Sequence, residues 1–183
     1  MTLEQVVLVD EDGAAIGTAD KLAVHSAETP LHLAFSCHVY SPAGEVLVTR
    51  RAMGKLTWPG VWTNSFCGHP RPGETFEAAV LRYAGHELGT GARDLECVLP
   101  DFRYRAVDAS GVVENEVCPV FVATCTGEAD GLDPNPDEVA EWRWVTPDEL
   151  GSAVAGAPWA LSPWLLEQVA EIEAVDGWTT LRP

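Results

Sequence analysis

A thiol and an imidazole stand two residues apart in Phe66-Cys67-Gly68-His69-Pro70. In extended backbone that spacing turns both side chains to one side. Gly68 between them permits close backbone approach. A cysteine here is either a small buried hydrophobe or an acid–base thiol tuned by a nearby metal or cation. The adjoining residues do not separate the two. His25, His32 and the pair Glu114 and Glu116 extend the set. With His69 they make three imidazoles and two carboxylates, donors that suit a divalent zinc or manganese ion, or iron. A lone histidine is more often a satisfied surface or core residue, and His38 and His86 read that way. Glu-x-Glu on a strand is usually a solvated face. These two acids instead open an apolar run, Val117 to Ala123, and acids so placed need a partner.

Charge narrows the partners. The formal net charge is −17 over 183 residues, with 46% hydrophobic residues. Such a surface repels nucleic acid and anionic membranes, so neither is an expected partner. It also repels a small anion unless local cations or metals reverse the field. Lys21 and Lys55 are the two lysines in the chain. They either reflect a composition that avoids lysine or mark where an anion binds. Five cysteines, an odd count without a CxxC pair, fit reduced thiols better than a disulfide framework. No apolar run reaches the ~20 residues of a membrane span, and the N-terminus lacks the basic region of a signal peptide. These features point to one cytoplasmic domain over residues 1–183; a monomer acting on a small-molecule substrate is the expectation.

The elements that must position these residues follow from periodicity. Gln5 to Val9 reads as a strand ended by a turn at Glu11-Asp12-Gly13, and Gly17 to Pro30 as irregular chain. Leu31 to Tyr40 alternates as one strand with a single apolar face, His32 lying on the other. Ser41-Pro42-Ala43-Gly44 turns it into a hairpin partner that ends in Arg50 and Arg51. Thr75 to Leu88 reads as a helix burying Phe76, Ala79, Val80, Tyr83, Ala84 and Leu88, with Gly89 at its end. Asp94 to Arg105 and Val112 to Thr124 pair as a long hairpin. Glu141 to Val145 is a short strand. Pro147 and Pro163 each start a helix, the second with Ser162 as N-cap. Strands fill the middle and helices flank them, an α+β sandwich.

Gly68, Glu74, Arg82, Glu87 and Gly89 fall at spacings that resemble the Nudix superfamily box, which holds magnesium on a diphosphate. Two of the box's acids are replaced, by Tyr83 and His86, which argues against hydrolysis. Four longer stretches resemble type 1 isopentenyl diphosphate isomerases: Trp58 to Ser65, Cys67 to Pro70, Asp101 to Arg105, and Glu114 to Val120. The likeness runs from about Lys21 to Trp164.

That resemblance implies a Nudix-type α/β/α sandwich with a mixed sheet flanked by helices. It also implies conversion of isopentenyl diphosphate to dimethylallyl diphosphate in isoprenoid biosynthesis. His25, His32, His69, Glu114 and Glu116 would ligate one divalent metal (manganese, zinc or magnesium). Glu87 would help hold a magnesium bridging to the diphosphate. Lys21, Arg51, Lys55 and Arg82 would bind its oxygens. Cys67 and Glu116 would be the acid–base pair, Glu116 giving the proton and the Cys67 thiolate taking one, with Tyr104 hydrogen-bonded near Glu116. Trp164 would shelter a carbocation with its ring face, where its bland alternative is core packing. The competing enzyme is a Nudix diphosphate hydrolase. A metal or diphosphate sensor on the same fold would bind without exchanging protons.

Overall fold

The computed structural model describes residues 4–127 and 131–175. Two mixed sheets form the frame. The first contains β1 (Gln5–Val9), β2 (Ala15–Asp20), β3 (His32–Leu33), β9 (Arg103–Val107) and β10 (Val113–Val117), in the order β2-β1-β3-β10-β9. The second contains β4 (Phe35–Tyr40), β5 (Val46–Arg51), β8 (Ala92–Leu99), β11 (Val120–Cys125) and β12 (Val139–Val145), in the order β12-β5-β4-β11-β8. Two short strands, β6 (Trp62–Thr63) and β7 (Phe66–Gly68), pair with β5 and β4. The pairs β3–β10 and β4–β11 run parallel.

Alternation along the second sheet divides the core. Phe35, Cys37 and Val39 face helix α2 (Phe76–Leu88), packing with Val80, Ala84 and Leu88. Tyr40, Val46, Val48 and Val122 pack on the other side with Leu150 of α3 (Pro147–Gly156) and with Leu165, Val169 and Ile172 of α4 (Pro163–Val175). Each fully buried side chain of this size contributes ~1.5–3 kcal/mol, so the three helices are held mainly by their apolar faces. Helix ends follow the sequence signals. The Thr75 side chain accepts from Ala78 N, Gly89 closes α2 at φ 64°, and Thr146 and Glu149 make a capping box on α3. Ser162, expected to cap α4, has its hydroxyl 2.8 Å from Thr63 Oγ1 instead, a tie to β6.

Three expected strands are each two. Leu31 to Tyr40 divides at Ala34, whose N–H donates to Val117 O at 2.9 Å, so β3 and β4 enter different sheets. Val112 to Thr124 divides at Cys118-Pro119, where proline has no N–H for a ladder. Asp94 to Arg105 divides past Leu99, at Pro100. The expected long hairpin survives as β9–β10 in one sheet and β8–β11 in the other. Residues of β4 are buried on both faces, unlike the one-sided strand expected, because helices cover both sides of this sheet. The stretch from Gly17, expected to be irregular, holds most of β2 and helix α1 (Lys21–Val24).

The β4–β5 hairpin is open, with Tyr40 and Val46 as its register pair. Asn64 and Ser65 stand where its ladder would run. Ser65 Oγ accepts from Val39 N and donates to Leu47 O, both at 2.7 Å. Asn64 Nδ2 donates to Cys37 O at 3.0 Å, and Thr49 Oγ1 donates to Asn64 O at 2.9 Å. Cys67 thereby reaches the middle of the sheet, in register with Ser36.

Gly68 is required by packing. A Cβ there would lie 2.5 Å from Tyr83 Cζ, inside the ring's contact surface. Gly68→Ala is expected to destabilise the chain by about 1–3 kcal/mol, the usual cost of overpacking. Tyr83→Leu should remove most of that penalty in the double variant, measured by denaturant unfolding; additive losses would mean Tyr83 is not the obstacle.

Candidate active site

The local folds of four segments bring the predicted ligands together. His25 ends α1, and its loop is tied to β10 by Val113 N to Ser26 O at 2.8 Å and Asn115 Nδ2 to Thr29 O at 3.2 Å. His32 on β3 is the register partner of Glu116 on parallel β10. His69 follows β7. One ligand atom from each of His25, His32, His69 and Glu116 lies within 4.8 Å of all the others. Glu116 Oε1 is 3.2 Å from His69 Nε2 and 3.4 Å from His32 Nε2. Pro30 O lies 2.9 Å from His32 Nδ1, so that nitrogen carries the hydrogen and the Nε2 lone pair is aimed at the cluster.

Glu114 stands beside this set. Its Oε1 accepts from Thr57 Oγ1 at 2.5 Å, and its Oε2 accepts from the Tyr104 hydroxyl at 3.2 Å and lies 3.7 Å from His25 Nε2. Tyr104 was expected near Glu116. It is that residue's cross-strand neighbour, but a hydroxyl at the end of a ring reaches past it to Glu114.

The donor set fits a divalent cation. His25 Nε2 is buried with no hydrogen-bond partner, and a carboxylate 2% exposed sits among three imidazoles. A buried charge and an orphaned nitrogen are costly unless something ligates them. The electrostatics have the same origin. Burial pushes the Glu116 carboxyl up, but the three histidines outweigh it and hold it well below the usual range. Burial lowers His25, and the Glu114 and Glu116 carboxylates reverse this to about 9. His69 is lowered by burial, with Glu116 opposing.

The cluster opens on a cavity of about 360 Å³. Its wall carries Cys67, Glu116, Tyr104 and Trp164, the cations Lys21, Arg51 and Lys55, and Glu87. Three cations line it in a chain whose net charge is −17. Each is braced by the protein. Lys21 Nζ donates to Glu4 and to the Tyr83 hydroxyl, at 2.9 and 3.0 Å. Arg51 donates to Thr57 O and Oγ1, and its guanidinium lies 5.4 Å from the Trp164 ring centroid. Lys55 pairs with Glu138. Glu87 is pushed up to about 7 chiefly by burial; Glu138 adds to this, and Lys55 and Arg51 oppose it.

Arg82 is not brought to the cavity. Its guanidinium grips both oxygens of Glu74, at 2.8 and 2.6 Å, and donates to His69 O at 3.2 Å. The carboxylate eight residues back satisfies the fork and makes Arg82 a brace for the loop. Tyr83, in a box position expected to be acidic, accepts from His69 N at 3.2 Å. His86 is largely exposed and 3.7 Å from Glu138.

Cys67 is held from two sides. Its Sγ is 3.1 Å from Ser36 Oγ and 3.2 Å from Asn64 Oδ1. That same Asn64 oxygen accepts from Trp164 Nε1 at 3.0 Å. Burial pushes the thiol up to about 12. In the metal-free cavity burial thus favours the neutral thiol, while the histidines favour the Glu116 carboxylate. Trp164 is 1% exposed and packs edge-on to Trp58 and tilted on Tyr104. Sequence reasoning missed Ser36, Thr57, Asn64 and Glu138. A Thr-Asn-Ser run between two short strands was the one available signal, since those side chains commonly bond to backbone.

The NUDIX domain model matches residues 30–167. Isopentenyl-diphosphate Delta-isomerase of Leifsonia xyli subsp. xyli is 61% identical over 95% of this chain and 94% of its own length. The enzyme of that name from Brevibacterium linens is 56% identical, over 93% and 92%. A solved Deinococcus radiodurans structure matches with a TM-score of 0.68 at 21% identity, over 92% of this chain and 98% of its own. A MutT protein of Methanosarcina mazei Go1 matches with a TM-score of 0.57 at 16% identity, over 81% and 97%. At such identities the structural likeness speaks for the fold alone. Fold, box and close sequence identity over nearly the whole length agree, and the chain belongs to the isopentenyl-diphosphate Delta-isomerase family of NUDIX-domain proteins.

Proposed function

We propose that the cavity interconverts isopentenyl diphosphate and dimethylallyl diphosphate through a tertiary carbocation. One observation supports this above the rest. Cys67 and Glu116 come from strands of different sheets, yet both face one cavity with Trp164 in its wall. Moving a double bond adds a proton to the terminal methylene and removes one from the carbon next to the diphosphate-bearing carbon. Two proton carriers on separate walls meet that need. A diphosphate hydrolase needs the box acids that Tyr83 and His86 replace.

Each residue has a task on this proposal. Lys21, Arg51 and Lys55 bind the diphosphate oxygens. The Trp164 ring faces the carbon skeleton and stabilises the cation by about 2 kcal/mol or more. Bound substrate has to keep water off the carbon skeleton, since water would trap the cation as an alcohol. His25, His32, His69 and Glu116, with Glu114 adjoining, hold one divalent ion, which we take to be manganese, zinc or magnesium and which would draw electron density from Glu116. Glu87 holds a magnesium that neutralises the diphosphate. No helix among the described residues is long and apolar enough to cross a membrane. We assign residues 1–183 as one catalytic domain, a cytoplasmic monomer with its five cysteines reduced.

Removing the metal is expected to abolish turnover. His69→Ala should purify without the divalent ion found in the parent by elemental analysis, and should lose activity with it. Full activity in a chelated, metal-free preparation would sink the site.

The proton route is read in D2O. Cys67→Ala and Glu116→Gln should each lose about 10²–10⁴-fold in isomerisation, the usual loss with a proton carrier. With Glu116 as donor, Cys67→Ala should still exchange deuterium into the terminal methylene of unreacted substrate, and Glu116→Gln should not. The opposite pattern makes Cys67 the donor, and wild-type rates in both variants refute the pair.

Glu87 gives a pH test. Its folded pKa of about 7 lies above the ordinary 4.5. Between those values the folded chain binds more protons than the unfolded one, so stability falls as pH rises. Magnesium needs the carboxylate, so its affinity should rise through pH 7. Glu87→Gln should raise the metal-free thermal midpoint above pH 7 and flatten the pH dependence of magnesium binding. An unchanged magnesium affinity in this variant would remove Glu87 from the site.

A further inference from the structure

Behind Cys67 runs a line of buried polar side chains that the proposed reaction leaves unused. Ser36 Oγ is 3.1 Å from Cys67 Sγ. Gln168 Nε2 donates to that same Ser36 oxygen at 2.8 Å. Gln168 Oε1 is 3.0 Å from His38 Nε2. Ser36, His38 and Gln168 are all fully buried between the second sheet and α4. Gln168 lies one helical turn past Trp164, so one face of α4 meets the cavity with one residue and this line with the other.

Buried polar groups are retained at a cost, and an apolar trio of equal volume would hold the sheet to the helix as well. What the trio adds is direction. Gln168 placed as above receives the His38 Nε2 hydrogen and gives its own to Ser36. The Ser36 hydroxyl hydrogen is then free to point at sulfur. The thiol's own hydrogen goes to Asn64 Oδ1 at 3.2 Å, so the sulfur accepts from Ser36 whether or not it holds its proton. Burial holds His38 down at about 4, so it stays neutral.

We propose that Ser36, Gln168 and His38 are positioning residues for the Cys67 sulfur. They form a three-bond relay that holds it at the cavity wall and gives it a hydrogen-bond partner both before and after it passes its proton. This rests on the acid–base role proposed for Cys67. The relay acts on the chemical step and not on binding, since none of its three members lines the cavity.

The test compares Ser36→Ala, Gln168→Met, their double variant and Cys67→Ala in steady-state kinetics, metal content and thermal unfolding. Ser36→Ala and Gln168→Met should lower kcat about tenfold or more, the scale of one hydrogen bond to a charged group. KM and metal content should stay within about twofold of the parent, as for an interaction felt in the transition state alone. The double variant should lie within about twofold of the worse single variant, because both act through one contact. Wild-type kcat in folded Ser36→Ala or Gln168→Met overturns the relay. Losses that multiply and track the thermal midpoint overturn it too, and leave the trio a packing feature. If Ser36→Ala does not fold, Gln168→Met decides alone. An active Cys67→Ala would defeat the acid–base role itself; an inactive Cys67→Ala beside an active Ser36→Ala would defeat the relay only.

Discussion

The hydrogen bonds of Asn64 and Ser65 are the constraint on which the site depends. Strands β4 and β5 are joined by a tight turn and have the apolar residues to pair along their length. They diverge because Ser65 Oγ stands between Val39 N and Leu47 O and satisfies both. The missing ladder would otherwise leave buried backbone groups unpaired, each at a cost of about 1–3 kcal/mol. Side chains thus substitute for a stretch of sheet, and the space they open admits β7. Cys67 is carried into the interior on that strand. The Asn64 oxygen then fixes both the sulfur and the Trp164 indole from one atom. Thiol and aromatic ring are set relative to each other by the same residue that opens the sheet.

Charge is the second constraint. A chain of net charge −17 has to gather cations wherever it is to hold a polyanion. It does so with few residues, each supported from behind by a carboxylate, hydroxyl or carbonyl. Lys21 has Glu4 and the Tyr83 hydroxyl, Arg51 has Thr57, and Lys55 has Glu138. Arg51 and Glu114 share Thr57, whose oxygen accepts from the guanidinium while its hydrogen goes to the carboxylate. The cation wall and the histidine cluster are therefore joined by one hydroxyl, which couples their geometry.

Much of this could be read in advance where the signal is local. The helix faces, the Thr75 and Gly89 ends of α2 and the same-side placing of Cys67 and His69 follow from spacing alone. That the buried acids seek partners follows from the apolar run beside them; which histidines join Glu116 was implied by the family resemblance. What stayed hidden lies in long-range pairing. Nothing near Ala34 marks it as the point where one strand leaves a sheet, because its N–H is claimed by Val117 from a distant strand. Gln168 and His38 are 130 residues apart, and each alone looks like an ordinary polar position. Arg82 carries a motif spacing that fits phosphate binding, while in the fold its guanidinium pairs with Glu74 eight residues back.

The replacements in the box follow from the same geometry. An acid at position 83 would add negative charge beside Lys21, whose nitrogen is 3.0 Å from the Tyr83 hydroxyl. It would also remove the ring that packs on Gly68 and Phe35. Tyr83 instead gives Lys21 a phenol beside the Glu4 carboxylate and adds no second negative charge to it. Its hydroxyl also receives the His69 N–H, which orients the segment carrying both His69 and Cys67. A box rich in acids can hold several metal ions and ready a water for attack. Replacing one acid with an aromatic phenol and leaving His86 at the surface gives up that capacity. The position supports a strand carrying a thiol and an imidazole. In a site proposed to carry a carbocation, lost capacity to activate water is itself an advantage, because any nucleophilic water there would end the reaction at an alcohol.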